Sequence, residues 1–304
     1  VETLICERRQ PEALADADIG DWDGFFAANT NGFFLRDATG QRTTTPLLFN
    51  SALTNLFAAC PRPDAILIPG DFPYYDFVAY YTNITQSADI QKGRGLLVKN
   101  IRYILMKIRQ TFPETPVYFT LGNNDTFLGD YEIDPSGDAF YAATAPAFYD
   151  GPFTNLVGYA DFAATYTNGG HYAAPLGSGD FISVQSLYFS ASYPHDLSSG
   201  SNQLAWLEAR LDQSAAAGRK AWLLMHIPPG VNAYATWGHW ATGDTSHAST
   251  DWRADFMEPF CRMIASHSNT IAGVLCGHYH NRGWRVISDP VHSNALVDLQ
   301  IANG

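Results

Sequence analysis

The chain has 304 residues, 46% hydrophobic and 16% charged, a balance that suits a globular protein and excludes a compositionally disordered one. Its net charge of -12 argues against a nucleic-acid-binding surface, which needs a basic patch. It does not argue against a phosphorylated ligand, because bound cations supply local positive charge.

The predicted elements alternate along the chain. A helix is expected over Pro46–Ala59, then a buried strand Ala65–Ile68 ending at Gly70-Asp71. The stretch that follows, with Phe72, Tyr74, Tyr75, Phe77, Tyr80 and Tyr81, reads as an aromatic loop. Leu97, Ile101, Ile104, Leu105 and Ile108 stand at helical spacing and stop before Pro113. A strand over Val117–Leu121 leads into Gly122-Asn123-Asn124-Asp125. Between Phe127 and Thr167 there is little period, with a short helix expected around Ala139–Phe148. Alternating strands are expected over Phe181–Phe189, then a helix marked by Leu204, Leu207 and Leu211 and closed by Gly218. The strand Ala221–Met225 delivers His226 before Ile227-Pro228-Pro229-Gly230. A helix carrying Phe256, Phe260, Met263 and Ile264 precedes the last apolar strand, Ile271–Cys276, which ends at Gly277-His278-Tyr279-His280.

This rhythm of strand, loop and helix belongs to an α/β protein with functional loops at its strand ends. With no internal repeat and no persuasive linker, one domain over 1–304 is expected. No apolar run approaches the roughly 20 residues that span a bilayer, and no signal peptide is visible. The chain opens on Val1 without an initiator Met, so a processed product or a fragment is expected, incomplete at its N-terminus and open to question at its C-terminus. Low lysine and abundant aromatics agree with a secreted or periplasmic protein. Cys6 and Cys60 can form a bridge, whereas Cys261 and Cys276 sit in apolar patterns and read as buried thiols.

Four strand tips thus present Asp71, Asn123, His226, His278 and His280. Imidazole, amide and carboxylate donors without thiolate suit a divalent ion such as zinc, iron or manganese. Taken singly, each has a plainer reading: Asp71 as a turn cap, Asn123 as part of a polar turn, His226 as a structural histidine. Pro228 and Pro229 stiffen the loop behind His226. In an extended segment His278 and His280 share one side while Tyr279 faces the other, which is a chelating arrangement. Asp125 is placed to orient its neighbours. His239, between Trp237 and Trp240, and the aromatic loop from Phe72 to Tyr81 either line a substrate cleft or are ordinary rim and core aromatics. His267 reads as a helix C-terminal residue without a site role.

In this order, the motifs resemble those of calcineurin-like metallophosphoesterases. Gly70-Asp71-Phe72-Pro73-Tyr74-Tyr75-Asp76 and the stretch from Gln203 through Trp206-Leu207 to His226 look like the branch that contains acid sphingomyelinase and its phosphodiesterase relatives. The resemblance spans about Pro46 to Trp284. It implies a two-sheet β-sandwich flanked by helices, in four layers, with a two-metal centre. By position, Asp71 resembles the carboxylate that bridges two ions; Asn123, His226 and His278 resemble ligands of one, and His280 a ligand of the other. The activity implied is hydrolysis of a phosphoester or phosphoanhydride by metal-bound hydroxide, on a phosphorylated small molecule or a phospholipid head group.

Two departures bear on that expectation. The family opens with Asp-x-His on its first strand, and no histidine precedes Pro46 here. If that motif is lost, the chain reads instead as a catalytically impaired relative that binds metal or a phosphorylated ligand. Asn124 stands where many members carry a histidine, and Tyr75 close to where the sphingomyelinase-like branch carries another. An amide cannot act as an acid near neutral pH, so substrates with good leaving groups are favoured. His239 with Trp237 and Tyr75 are the candidate substrate contacts, and Asn124 with Asp125 the candidate catalytic residues.

Overall fold

A computed structural model describes residues 10–28, 44–133, 139–244, 248–280, 283–288 and 296–301. It is mixed α/β, with two sheets flanked by helices. Helices α1 (Gln10–Asp16) and α2 (Trp22–Ala28) come first. Helix α3 (Pro46–Ala59) begins where Thr45 accepts the Leu48 N–H at 3.1 Å, with Pro46 in its first turn. Strand β1 (Ile66–Ile68) follows, then α4 (Phe77–Thr85) and the long α5 (Ile90–Thr111). Asp89 caps α5 by accepting the Lys92 N–H at 3.0 Å, and Leu97, Ile101, Ile104, Leu105 and Ile108 are all buried along one face.

Strand β2 (Val117–Phe119) pairs in parallel with β1, Ile66 opposite Val117 and Ile68 opposite Phe119. After α6 (Phe140–Phe148) and α7 (Tyr159–Gly169), the second sheet is built from β3 (Tyr172–Leu176), β4 (Gly179–Val184), β5 (Ala221–Met225), β6 (Ile271–Cys276), β7 (Gly283–Ser288) and β8 (Leu296–Ile301). Its order is β3-β4-β5-β6-β8-β7. The middle pairs are parallel, and β3 with β4 and β7 with β8 are antiparallel. Helices α8 (Ser198–Ala216) and α10 (Ala254–Ser266) pack on this sheet, while α9 (Ala233–Ala241) follows the β5 tip.

The sheets meet along β2. The Tyr172 hydroxyl accepts the Phe119 N–H at 2.8 Å and donates to its carbonyl at 2.9 Å, closing an edge that would otherwise lack a partner strand. Thr120 donates to the Val184 carbonyl at 2.9 Å and Tyr118 to that of Pro175 at 2.6 Å. Around them Phe119 stacks on Phe148 at 3.9 Å within a buried aromatic cluster that includes Phe162, Tyr166 and Tyr172.

Several expectations need correcting. The aromatic loop is partly helix, because Phe77, Val78 and Tyr81 face inward as the buried side of α4. Of residues 181–189 only 181–184, the end of β4, are strand; Ser186–Phe189 turns as a 3-10 helix, with Gln185 held by Gln203 at 2.7 Å. The stretch from Phe127 to Thr167 holds the expected short helix as α6, and α7 besides. Cys276 is buried and Cys261 half-buried, whereas Cys60 is exposed; Cys6 lies outside the described residues, as do His247 and His292.

Candidate metal centre

The tips of β1, β2, β5 and β6 converge. Beyond β1 the chain turns sharply at Gly70 (φ +95°), which places Asp71 in the left-handed region at φ +57°. Asp125 holds that turn: its buried carboxylate accepts N–H groups from Asp71 (2.8 Å), Phe72 (3.0 Å) and Gly122 (2.6 Å). These three bonds join the β1 and β2 tips. The two loops touch so closely that a Cβ on Gly122 would overlap the Asp71 carboxylate and stand 2.7 Å from its backbone nitrogen. Gly122→Ala is therefore expected to displace Asp71. Metal affinity should fall at least tenfold, measured by competition with a chromogenic chelator, and unchanged affinity would show that Asp71 is not held for an ion.

His226 is buried at the β5 tip. Its Nδ1 lies 2.6 Å from the Pro69 carbonyl, which can only accept, so Nδ1 carries the proton and Nε2 presents its lone pair. That Nε2 lies 3.0 Å from Asp71 Oδ2, 3.0 Å from Asn123 Oδ1 and 3.3 Å from His278 Nδ1. His278 Nδ1 is in turn 3.0 Å from Asn123 Oδ1. Asn123 turns its oxygen inward because its Nδ2 donates to Asp130 at 2.6 Å. A carboxylate oxygen, an amide oxygen and two imidazole nitrogens therefore meet with their lone pairs facing one another. A single proton can serve one such contact; a cation serves all four. The donor set fits a divalent ion with nitrogen and oxygen ligands. Among the described residues, Asp71, His226 and His278 form the group of acidic, histidine or cysteine side chains able to hold one, with ligand atoms within 4.8 Å of each other.

The electrostatics follow. Burial alone would raise the Asp71 carboxyl, but the adjacent His226 outweighs it and holds Asp71 below the usual range. Burial alone would lower His226, and Asp71 reverses that, so His226 lies above the ordinary imidazole value, which favours a proton on Nε2 that a cation must displace to use that lone pair. Burial, then His226, pushes His278 down to about 3, keeping it neutral and able to donate a lone pair. Burial and the charge of Asp71 raise Asp125 against the pull of its N–H partners.

His280 stands outside this cluster. It is exposed, and near enough that its charge helps to lower His278. The segment is not extended: His278 (φ +75°) and His280 (φ +51°) both lie in the left-handed region, and Tyr279 turns away to donate to Asp251. The alternation argument for this pair is thus corrected by the backbone. Asn124 is 2% exposed; its N–H donates to Asp71 Oδ1 at 3.1 Å, and both side-chain amide atoms lack a partner among the described residues.

The candidate substrate contacts sit on the segment before α4 and on α9. Tyr75 is half-buried against Tyr74, ring centres 5.4 Å apart, within electrostatic reach of Tyr131. Trp237 and His239 are exposed on α9. Asn232 caps α9 and also donates to Asp251 at 2.8 Å, the carboxylate that takes Tyr279, so the helix is fastened to the His278 segment. His267 caps α10 and pairs with Asp212 at 2.9 Å, away from the site. Sequence reading passed over Asp130 and Tyr131. The Gly129-Asp130 turn so soon after Asn123 was the available signal for the first; nothing pointed to Tyr131.

The chain has recognisable relatives among known proteins. The family model described as calcineurin-like phosphoesterase matches residues 17–282. The acid sphingomyelinase-like phosphodiesterase 3b of Homo sapiens is 24% identical over 248 residues, 80% of this chain and 48% of that one. A cyclic GMP-AMP phosphodiesterase of Mus musculus is 26% identical over 213 residues, 68% of this chain and 44% of that one. The chain thus spans about half the length of the curated relatives it matches. Among solved structures, a dimetal phosphatase from Danio rerio superposes with a TM-score of 0.50 at 11% identity, covering 84% of this chain and 77% of that one, which supports the fold alone.

Proposed function

The chain belongs to the calcineurin-like phosphoesterase family, and from that premise we propose that it hydrolyses a phosphodiester or phosphoanhydride with the help of two divalent ions. The observation that carries this reading is the meeting of four lone-pair atoms from Asp71, Asn123, His226 and His278. Those residues would hold one ion, with Asp71 and His280 offered to the second; nitrogen and oxygen donors favour zinc, iron or manganese. When bound, such ions polarise a phosphoryl oxygen and ready a water for attack.

The chain's own residues do the rest. Asp125 fixes the Asp71 turn through three N–H bonds. Asn124 offers its unpartnered amide to a phosphoryl or leaving-group oxygen. Tyr75, Trp237 and His239 are offered as contacts for the remainder of the substrate. The similarity to phosphodiesterases named for sphingomyelin-like and cyclic dinucleotide substrates supports a diester, with a phospholipid head group or a nucleotide attached. We take the chain as one catalytic domain of an exported protein; no helix among the described residues is long and apolar enough to cross a membrane.

The test uses the full-length protein, stripped with chelator and reloaded with Zn2+, Mn2+ or Fe2+. It is assayed on bis(nitrophenyl) phosphate, a cyclic dinucleotide, a nucleoside triphosphate and sphingomyelin. Metal-dependent hydrolysis of at least one diester or anhydride is expected. Tight metal binding without turnover of any of them would favour the binding-only relative, and neither binding nor turnover would end the proposal.

A further inference from the structure

We infer that Asp130 and Tyr131 are positioning residues that hold two ligands of the metal centre, Asn123 and His278, from behind. The inference rests on the metal centre proposed above and adds what sets its geometry.

After Asn123 the chain doubles back on itself. Gly129 bridges to Glu132, and the Tyr131 N–H donates to the Asn123 carbonyl at 3.1 Å. The Asp130 N–H is held by Asp76 Oδ1 at 2.9 Å. This return brings two consecutive side chains against the outer sides of ligands that lie 155 residues apart in sequence.

Each does a distinct job. A side-chain amide can point either end inward, and only its oxygen can bind a cation. Asp130 accepts from Asn123 Nδ2 at 2.6 Å, and a carboxylate can do nothing but accept. The flipped amide would set oxygen against oxygen, so Asp130 excludes it and leaves Asn123 Oδ1 facing His226 at 3.0 Å. Tyr131 places its hydroxyl 3.2 Å from His278 Nε2. A phenol oxygen there can accept Nε2–H, which leaves the lone pair on Nδ1, the atom that faces the cluster. Tyr131 reaches this point only by adopting φ +60°, where bulky residues are seldom found.

The test begins from metal-free full-length protein. Zn2+ affinity is measured by chelator competition, and Co2+ loading is followed by its visible absorption, which reports ligand geometry. Asp130→Ala is expected to weaken Zn2+ binding about 10- to 100-fold and to alter the Co2+ spectrum. Asp130→Asn should recover most of the affinity, because its amide oxygen still accepts from Asn123. Tyr131→Phe should fall at the low end of that range. The melting temperature of each metal-free variant should stay at that of the parent, which separates positioning from folding. Parental affinity and spectrum in both Asp130→Ala and Tyr131→Phe would overturn the inference. If metal-free Asp130→Ala melts well below the parent, Tyr131→Phe decides alone. His226→Ala keeps the two readings apart: if it alone loses metal, the centre stands and the positioning role falls, whereas if it too binds normally both fall.

Discussion

His226→Ala should remove bound metal and phosphoester hydrolysis together. His226 supplies the lone pair closest to three other donors, at 3.0, 3.0 and 3.3 Å, so its loss opens the centre of the set and not its edge. Losing an outer hydrogen-bond partner of a ligand costs about 10- to 100-fold in affinity, and losing the ligand itself should exceed the upper figure. The second effect is on stability. Metal at about 100 times its dissociation constant adds roughly 2.7 kcal/mol to the parent, and this increment should vanish in the variant. Metal content after gel filtration and the melting temperature with and without metal measure both. His267→Ala is the control. That imidazole closes α10 and pairs with an exposed Asp212, so its replacement should leave metal content and turnover unchanged. If both variants lose metal and activity to the same degree, general unfolding explains the result and the assignment of His226 loses its support.

The parts of this centre that were legible in sequence share one property. β1, β2, β5 and β6 are short apolar runs, and each is followed by a residue that breaks the strand: Gly70, Gly122, Pro228 or Gly277. Burial selects the run and backbone chemistry selects the stop, so both ends of the strand leave a mark. Elements held by tertiary context left none. β3 carries Pro175 and is half exposed along its length, and its place depends on the Tyr172 hydroxyl filling the open edge of β2. α7 opens without a side-chain cap, behind Gly158. At the site, a period of two predicted that His278 and His280 share a face, but departures into the left-handed region at both residues redirect them, and side-chain pattern does not record φ. Tyr131 was invisible for a related reason. Its partner His278 lies 147 residues away along the chain, and only the return of the loop after Asn123 makes them neighbours, whereas Asp130 sits seven residues from Asn123 in a turn that the sequence does mark.

Asn124→His should change which substrates the protein cleaves. In the parent the residue whose N–H holds Asp71 is an amide, 2% exposed, whose two polar side-chain atoms have no partner among the described residues. Such a group can donate a hydrogen bond to a departing oxygen but cannot give it a proton near neutral pH. The rate should therefore climb steeply with leaving-group acidity, with nitrophenol or a nucleotide phosphate leaving much faster than an unactivated alcohol. An imidazole at this position titrates in the useful range, and general acid help is worth roughly 10²- to 10⁴-fold where it is needed. The gain should appear only for the poor leaving group, because a good one has nothing left to receive. The backbone N–H of residue 124 bonds Asp71 Oδ1 at 3.1 Å and does not depend on the side chain, so the metal centre should survive the change, and metal content verifies that. The measurement is a plot of log kcat/KM against leaving-group pKa for parent and variant, with single-turnover rates establishing that bond cleavage limits both. A shallower slope in the variant than in the parent is the expected result. A flat slope in the parent would mean that some other group already donates the proton, and Tyr75 and His239 would be the next side chains to replace.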